Sequence, residues 1–247
     1  MRKMILKSGM WCVLLVGVIA LVLSLCGPGE VWAVSEHLFI PGIGSAVIDG
    51  YIDPTEWAAA DSYALTMTSS TMTGTLYVMQ SLTDLYLGFT IDDDEFTTGE
   101  KFGLYGDTVQ FEFDDDNSGL LYDMGENKAT IFAADPFYRD AHFINTTGSS
   151  SSSSDASVGG VTNRQGLSAR HADKNHYELR FPLCSGDSYD FCLGPGSIVE
   201  LRIKYYDMVS DNEGFVYTAH LYPGSDLTSL VTIKLFALYS YLPLIRR

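Results

Sequence analysis

The strongest constraint on this chain is a succession of short segments in which β-branched and aromatic residues alternate with polar ones or run in blocks, separated by clusters of Gly, Asp, Asn and Ser. Thr108 to Phe113 shows the pattern most cleanly. Val109, Phe111 and Phe113 fall on one side of an extended chain, and Gln110 and Glu112 on the other, which predicts a half-buried strand. Comparable segments run over Gly74 to Gln80, Leu85 to Ile91, Lys128 to Ala133, His176 to Phe181, Ile198 to Tyr206, Gly214 to Leu221 and Leu230 to Leu235, so at least eight strands are expected. That many short strands with turn signals between them predict an all-β, antiparallel sandwich or barrel rather than an α/β fold.

One short helix is expected at Asp53 to Ala60, where Asp53 stands as N-cap, Pro54 takes the first helical position and Glu56 completes a capping box. Residues 149–160, opening with six consecutive serines, cannot bury a core and are expected to form a flexible loop.

The N-terminus carries Arg2, Lys3 and Lys7, then an uncharged apolar run from Met10 to Leu25, then Gly27-Pro28-Gly29-Glu30. This is the layout of a secretion signal over residues 1–33, with cleavage after Ala33. A lipoprotein anchored at Cys26 ranks second and a retained membrane anchor third. No stable membrane span is expected in the mature chain unless the signal is retained, and the location is extracellular or in the cell envelope. The mature domain, 34–235, is followed by an apolar tail, 236–247, ending in Arg246-Arg247. The tail reads as a docked terminus or as a sorting tag.

Loss of Arg2, Lys3, Lys7 and Glu30 takes 15 basic and 31 acidic residues to 12 and 30, a net charge of −18. Nucleic acid is therefore excluded as a partner. Of the four cysteines only Cys184 and Cys192 remain in the mature chain. An even pair in an exported protein predicts one disulfide, here a local staple across a turn-rich loop.

Val47-Ile48-Asp49-Gly50, followed by Trp57, resembles the opening signature of family 9 carbohydrate-binding modules and the wider DOMON-like group. Leu85 to Asp93, Gly106 to Asp114, Tyr177 to Leu183 and Gly196 to Asp207 resemble the family's later strands in type and order. The resemblance covers Val47 to Asp207. It implies a jelly-roll-like sandwich of two antiparallel sheets, often calcium-bound, with a polysaccharide or cell-surface glycan as partner; the step from fold to function is analogy.

Trp57 is the one tryptophan of the mature chain, and its place in the opening motif assigns it to the core. A sugar platform must then come from other aromatics, because pyranose rings stack their C–H faces on aromatic rings. The candidates off the regular strands are Tyr105, Tyr122, Phe137 and Tyr138, the last beside Arg139.

Asp114-Asp115-Asp116-Asn117-Ser118-Gly119 has the spacing of the first half of a calcium loop, but Gly125 stands where the closing Glu belongs. A looser site could use Asp114, Asp116 and Asp123. Asp92-Asp93-Asp94-Glu95 at a strand end, with Asp92 foremost, and Asp107 at a strand start are the other candidate ligands, and a solvated acidic turn is the competing reading for each cluster. No nucleophile elbow, zincin motif or phosphate loop is present, so the chain reads as non-enzymatic, able to assist a separate glycoside hydrolase. The alternatives are haem held between Met67, Met72, Met79, Met124 or Met208 and His142, His176 or His220, and a structural or adhesive domain without sugar binding.

Overall fold

The computed structural model describes residues 37–68, 70–101, 104–119, 127–134, 138–144, 151–211, 214–223 and 230–237. The expected signal and all but the first two residues of the tail lie outside them.

The strands are Leu38–Phe39 (β1), Gly42–Ile43 (β2), Asp61–Thr66 (β3), Thr73–Gln80 (β4), Asp84–Ile91 (β5), Glu100–Lys101 (β6), Leu104–Tyr105 (β7), Thr108–Asp114 (β8), Asn127–Phe132 (β9), Tyr138–Phe143 (β10), Ser152–Ser154 (β11), Gln165–His171 (β12), Lys174–Pro182 (β13), Ile198–Asp211 (β14), Gly214–Tyr222 (β15) and Val231–Lys234 (β16). One helical turn, Asp155–Val158 (α1), lies between β11 and β12. The first sheet has the order β1-β16-β14-β8-β9-β10-β11, with β15 also on β14. The second has the order β12-β13-β5-β4-β2, with β3 also on β4, while β6 and β7 pair only with each other.

The expected all-β sandwich is what the chain forms. Its sheets are mixed rather than purely antiparallel, because β1 runs parallel to β16 and β2 parallel to β4. Both exceptions come from one stretch: residues 38–43 leave the first sheet and enter the second, closing an edge of each.

Between the sheets, Val109, Phe111 and Phe113 of β8 and Leu201, Ile203 and Tyr205 of β14 meet Leu85, Leu87, Phe89 and Ile91 of β5 and Tyr177, Leu179 and Phe181 of β13. The Phe113 and Phe181 rings cross edge-on at 5.3 Å. The two faces of β8 divide as the alternation predicts, but the strand is buried on both, with Gln110 and Glu112 also covered. A central strand can bury Glu112 because Arg202 lies opposite it in register on β14 and donates to Glu112 Oε2 from Nε at 3.1 Å and from NH2 at 2.8 Å.

β5 is likewise buried throughout. Residues 44–60 lie as a strap over its outer face, where Ile52 and Trp57 pack on Met79 and Tyr86. Gly88 lies beneath them and lets them sit close, since a Cβ there would stand 3.2 Å from the Trp57 ring and 3.0 Å from Ile52 and would push both outward by a few tenths of an ångström.

The expected helix at Asp53 to Ala60 is instead a run of turns. The cap forms: Asp53 Oδ1 accepts from the Thr55 and Glu56 N–H groups at 2.7 and 3.2 Å. The capping box does not, because the Glu56 carboxylate accepts from the Val47 N–H and the Asp53 N–H is taken by the Tyr51 carbonyl. After Trp57 N–H to the Asp53 carbonyl, the Ala60 N–H reaches back only to Trp57, and the turn closes without propagating.

The Ser-rich run also differs from its expectation. Ser152–Ser154 pair with β10, and α1 ends on Gly159 in the left-handed conformation. What holds this segment is Asp155, which is fully buried.

Candidate functional site

Glu178 anchors the strap at two places. Glu178 Oε2 accepts from the N–H groups of Asp49 and Gly50 at 2.9 and 2.7 Å, and its Oε1 accepts from Trp57 Nε1 at 2.9 Å. Gly50 reaches this position with φ of +89°. The Asp-Gly turn and the tryptophan are thus two ends of a clamp on one carboxyl, which burial pushes up to about 7 despite the three donors.

A cleft of about 310 Å³ opens beside the strap, lined by Tyr51, Pro54, Tyr77, Thr90, His171 and His176. Tyr51 and His171 rings lie 4.0 Å apart between centroids, tilted by 39°. His171, Ala172 and Asp173 at the β12–β13 turn are exposed, and Ala172 takes φ of +52°. His176 Nδ1 accepts the Ile52 N–H at 3.2 Å, which leaves its proton on Nε2. Burial, reinforced by His171 and Lys174, lowers His176 to about 4, so the ring is neutral at ordinary pH. Aromatic faces beside fixed polar groups can hold a ring-shaped, hydroxyl-rich ligand.

Among the described residues, none of the expected platform side chains lines this cleft. Tyr122 and Phe137 lie outside the described residues. Tyr138 is a correction to the sequence reading: β12 covers its ring so closely that a Cβ on Gly166 would come within 2.6 Å, and its hydroxyl is buried without a partner. Tyr105 is half-buried, edge-on to Phe132 at 5.4 Å. Arg139 is exposed, with its guanidinium 5.6 Å from the same Phe132 ring. Tyr51 and His171 were missed because they sit at turns more than 100 residues apart; the signal present in the sequence was a tyrosine directly after the Ile-Asp-Gly turn.

A buried acidic centre lies at one end of the sandwich. Asp93, Asp107 and Asp207 each bring an oxygen within 4.8 Å of the others. Gly106 presents Asp107 with φ of +78°, where a Cβ would stand 2.0 Å from the Thr97 carbonyl oxygen. Asp107 accepts from the N–H groups of Thr97 and Met208, both at 2.8 Å, and Asn175 donates to it at 3.4 Å. The Tyr205 hydroxyl donates to Asp93, while one oxygen of Asp207 is buried without a partner. Burial, with Asp93 and Asp207 adding to it, pushes Asp107 up to about 7, and burial beside Asp93 raises Asp207 to about 6. This oxygen-only set is the arrangement hard cations select.

Asp107 is placed here as a member of the centre, and from the acidic run at the end of β5 so is Asp93. Asp92 is corrected: strand alternation turns Asp93 inward and Asp92 outward, where Lys174 Nζ lies 2.6 Å away and the Thr73 hydroxyl donates to it. Asp114 and Asp116 are corrected too. Their carboxylates accept from the Ser118 N–H at 3.1 and 2.8 Å, and Asp114 also from the Gly119 N–H at 2.7 Å, which closes a turn on itself. Asp123 lies outside the described residues. The disulfide Cys184–Cys192 is formed as expected. Of the residues weighed for haem, Met67, Met79 and Met208 are core, and His142 and His176 hold their Nδ1 atoms on Asp155 and the Ile52 N–H.

No family model and no curated protein sequence matches the chain. Solved structures do. A family 9 carbohydrate-binding module from Caldicellulosiruptor kristjanssonii in complex with cellotriose superposes with a TM-score of 0.59 at 14% identity, over 85% of this chain and 100% of that one. The same module in complex with glucose gives 0.59 and 14%, over 84% and 100%. A candidate carbohydrate-binding protein from Bacteroides uniformis gives 0.53 at 6% identity, over 80% and 98%. The superposition spans the whole of each of those modules at a TM-score of 0.59: this chain has the fold of the family 9 carbohydrate-binding modules.

Proposed function

We propose that this chain is an exported, non-catalytic carbohydrate-binding protein that holds its ligand at the Tyr51–His171 cleft and is stabilised by calcium at Asp93, Asp107 and Asp207. The cleft carries the reading. Tyr51 and His171 offer ring faces for the C–H surface of a pyranose, and the neutral His176, with its proton on Nε2, offers a donor for a hydroxyl. The fold supports it, because structural neighbours of this chain are modules crystallised with cellotriose and glucose. The Cys184–Cys192 bond suits an oxidising compartment outside the cytosol.

Calcium follows from charge. Three carboxylates in a low-dielectric centre oppose one another's ionisation, and a divalent cation held by their oxygens would replace the protons that burial otherwise favours. The test is retention of the exported protein on insoluble cellulose, xylan and chitin, with calcium and with chelator. Retention on one glycan that Tyr51→Ala abolishes upholds the reading. No retention on any of them, in either buffer, removes sugar binding and leaves a structural or adhesive domain.

A further inference from the structure

We propose that the outer face of the first sheet is a second binding face, separate from the Tyr51–His171 cleft, which takes an acidic polysaccharide of uronic-acid residues through Lys128, Arg139, Lys204 and Gln110. Strand register brings these side chains together. β14, β8, β9 and β10 lie side by side, and the alternation that turns Ile203, Phe111 and Ile131 into the core turns their neighbours outward. Lys204 pairs with Gln110, Gln110 with Thr130 and Thr130 with Arg139, one straight row across four strands and roughly 14 Å from end to end at the usual strand spacing. The row beside it holds Arg202, Glu112 and Lys128. Four of the 12 basic residues of the mature chain thus stand on two adjacent rows.

The first observation is charge. Elsewhere in the sandwich Arg164 meets Asp140 and Asp190, Lys174 meets Asp92, and Arg180 meets Asp84. On this face the one acidic side chain of the two rows, Glu112, is taken by Arg202, and among the described residues Lys128 and Arg139 make no ion pair. Aromatic rings hold them instead: Lys128 Nζ is 5.9 Å from the Phe143 ring, the Arg139 guanidinium 5.6 Å from Phe132, and Lys204 Nζ 5.2 Å from Tyr206. The cations stand close enough to oppose one another. Burial lowers the Lys128 ammonium, Glu112 works against that shift, and Lys204 and Arg139 add to it. Arg139 is exposed and Lys128, Lys204 and Tyr206 are half-buried, so the charged heads are within reach of a ligand.

The second observation is Gln110, in the middle of the row. It is 7% exposed, and its amide oxygen has no partner. A bare acceptor calls for a donor, which an ionised carboxylate lacks and a hydroxyl supplies. Cations beside an unfilled acceptor therefore select a ligand that carries carboxylates and hydroxyls on the same ring, and four strands make a row longer than one pyranose. The net charge of −18 opposes a broad polyanionic surface such as nucleic acid or an anionic membrane. For a sugar chain that stays on these rows the local sign decides, because charges beyond about 8 Å are screened at physiological ionic strength. The inference does not rest on sugar binding at the cleft, which lies on the other sheet.

The experiment is calorimetric titration of the exported protein, at physiological salt, with sodium oligogalacturonate, with its carboxyl-reduced counterpart of the same length and with a sulfated oligosaccharide of that length. Binding of the oligogalacturonate is expected, at least about 10-fold tighter than of either comparator. Arg139→Gln should weaken it about 10-fold and leave the melting temperature unchanged, since the side chain is exposed. Gln110→Leu should weaken it without lowering the melting temperature, because it removes an unpartnered buried acceptor. Tyr51→Ala should leave it unchanged. No binding by the wild type overturns the proposal, as does an affinity that Arg139→Gln does not alter. Equal affinity for the sulfated oligosaccharide means a general attraction for anions and overturns it too, and binding lost in Tyr51→Ala but kept in Arg139→Gln moves the acidic sugar to the cleft. If Gln110→Leu does not fold, Lys128→Gln replaces it, with a weakening of about 10-fold expected and unchanged affinity overturning the site. Retention on neutral glycans and its dependence on Tyr51 are untouched by any of these failures, so the two binding faces stand or fall separately.

Discussion

Glu178 and Asp107 are both carboxyls without exposed surface, and burial pushes both up to about 7, yet their surroundings differ in kind. Glu178 meets three N–H donors, from Asp49, Gly50 and Trp57, all neutral and all held by the strap it anchors. Asp107 also meets three, the N–H groups of Thr97 and Met208 and the Asn175 amide, but it faces Asp93 and Asp207 as well. A buried carboxylate with enough donors is complete in itself, and one with like-charged neighbours calls for a counter-charge from outside. The contrast implies that the strap end should ignore calcium and the acidic end should depend on it.

The largest effect expected is at the strap. Glu178→Ala leaves three N–H groups facing a void, each costing ~1–3 kcal/mol, so a loss of roughly 4 kcal/mol or more is expected in denaturant titrations. The loss should be equal in calcium and in chelator. A loss confined to calcium-containing buffer would break the comparison, because it would make the strap part of the metal's energetics.

Asp107→Asn tests the other half. A ligand at 100 times its Kd stabilises the folded state by about 2.7 kcal/mol, and the wild type should show a calcium-dependent gain of that order at saturation. The variant should lose most of the gain while melting no lower than the wild type in chelator. Undiminished calcium stabilisation in Asp107→Asn would exclude this centre as its source.

Acidity separates the two regions again. The folded-state value of Glu178, about 7, lies above its ordinary 4.5, so between those values the folded chain binds more proton than the unfolded one. Its contribution is fully present below pH 4.5 and is lost as the pH rises through 7, on the order of 2 kcal/mol. Asp140, raised to about 7 chiefly by burial, acts in the same direction. In chelator the protein should therefore be more stable at pH 5 than at pH 8, and Glu178→Gln should flatten part of that slope. A slope of the opposite sign would mean that the carboxyl is ionised throughout.

Much of this architecture was legible because it follows from periodicity. β8 shows its two faces in Val109, Phe111, Phe113 and Gln110, Glu112, and only the covering of the second face was hidden, since Arg202 lies 90 residues away. The strap was legible as a signature and illegible as a mechanism: nothing local to Asp49, Gly50 or Trp57 names Glu178. The helix at Asp53 failed because capping chemistry was read without the competitor, Val47, for the Glu56 carboxylate. Within the acidic run Asp92 to Glu95, which member turns inward is a matter of parity. At the end of β5 a shift of one residue exchanges Asp92, paired with Lys174, for Asp93, turned into the core. Asp207 carried no local sign of its role, because its partners come from β8 and from the end of β5. The serines of β11 were read from composition, which reports a segment's own burial capacity and not what a neighbouring edge can supply.

The smallest expected effect on stability belongs to Tyr51, and it bears most on function. The ring is half-buried and contacts His171 and His176 at the cleft wall, outside the sandwich core, so Tyr51→Ala should change stability by no more than about 1 kcal/mol. Loss of one stacking face should weaken glycan binding about 10-fold, equivalent to ~1.4 kcal/mol, and Tyr51→Phe should restore most of it because stacking needs the ring and not the hydroxyl. Tyr105→Ala, against Phe132 on the other sheet, should leave retention unchanged. The reverse outcome, retention lost with Tyr105 and kept without Tyr51, would move the binding face to the first sheet and separate the strap from ligand recognition. Binding indifferent to Glu178→Gln but lost with Tyr51→Ala would instead sharpen the division, assigning the carboxyl to holding the strap and the half-buried ring at its edge to the sugar.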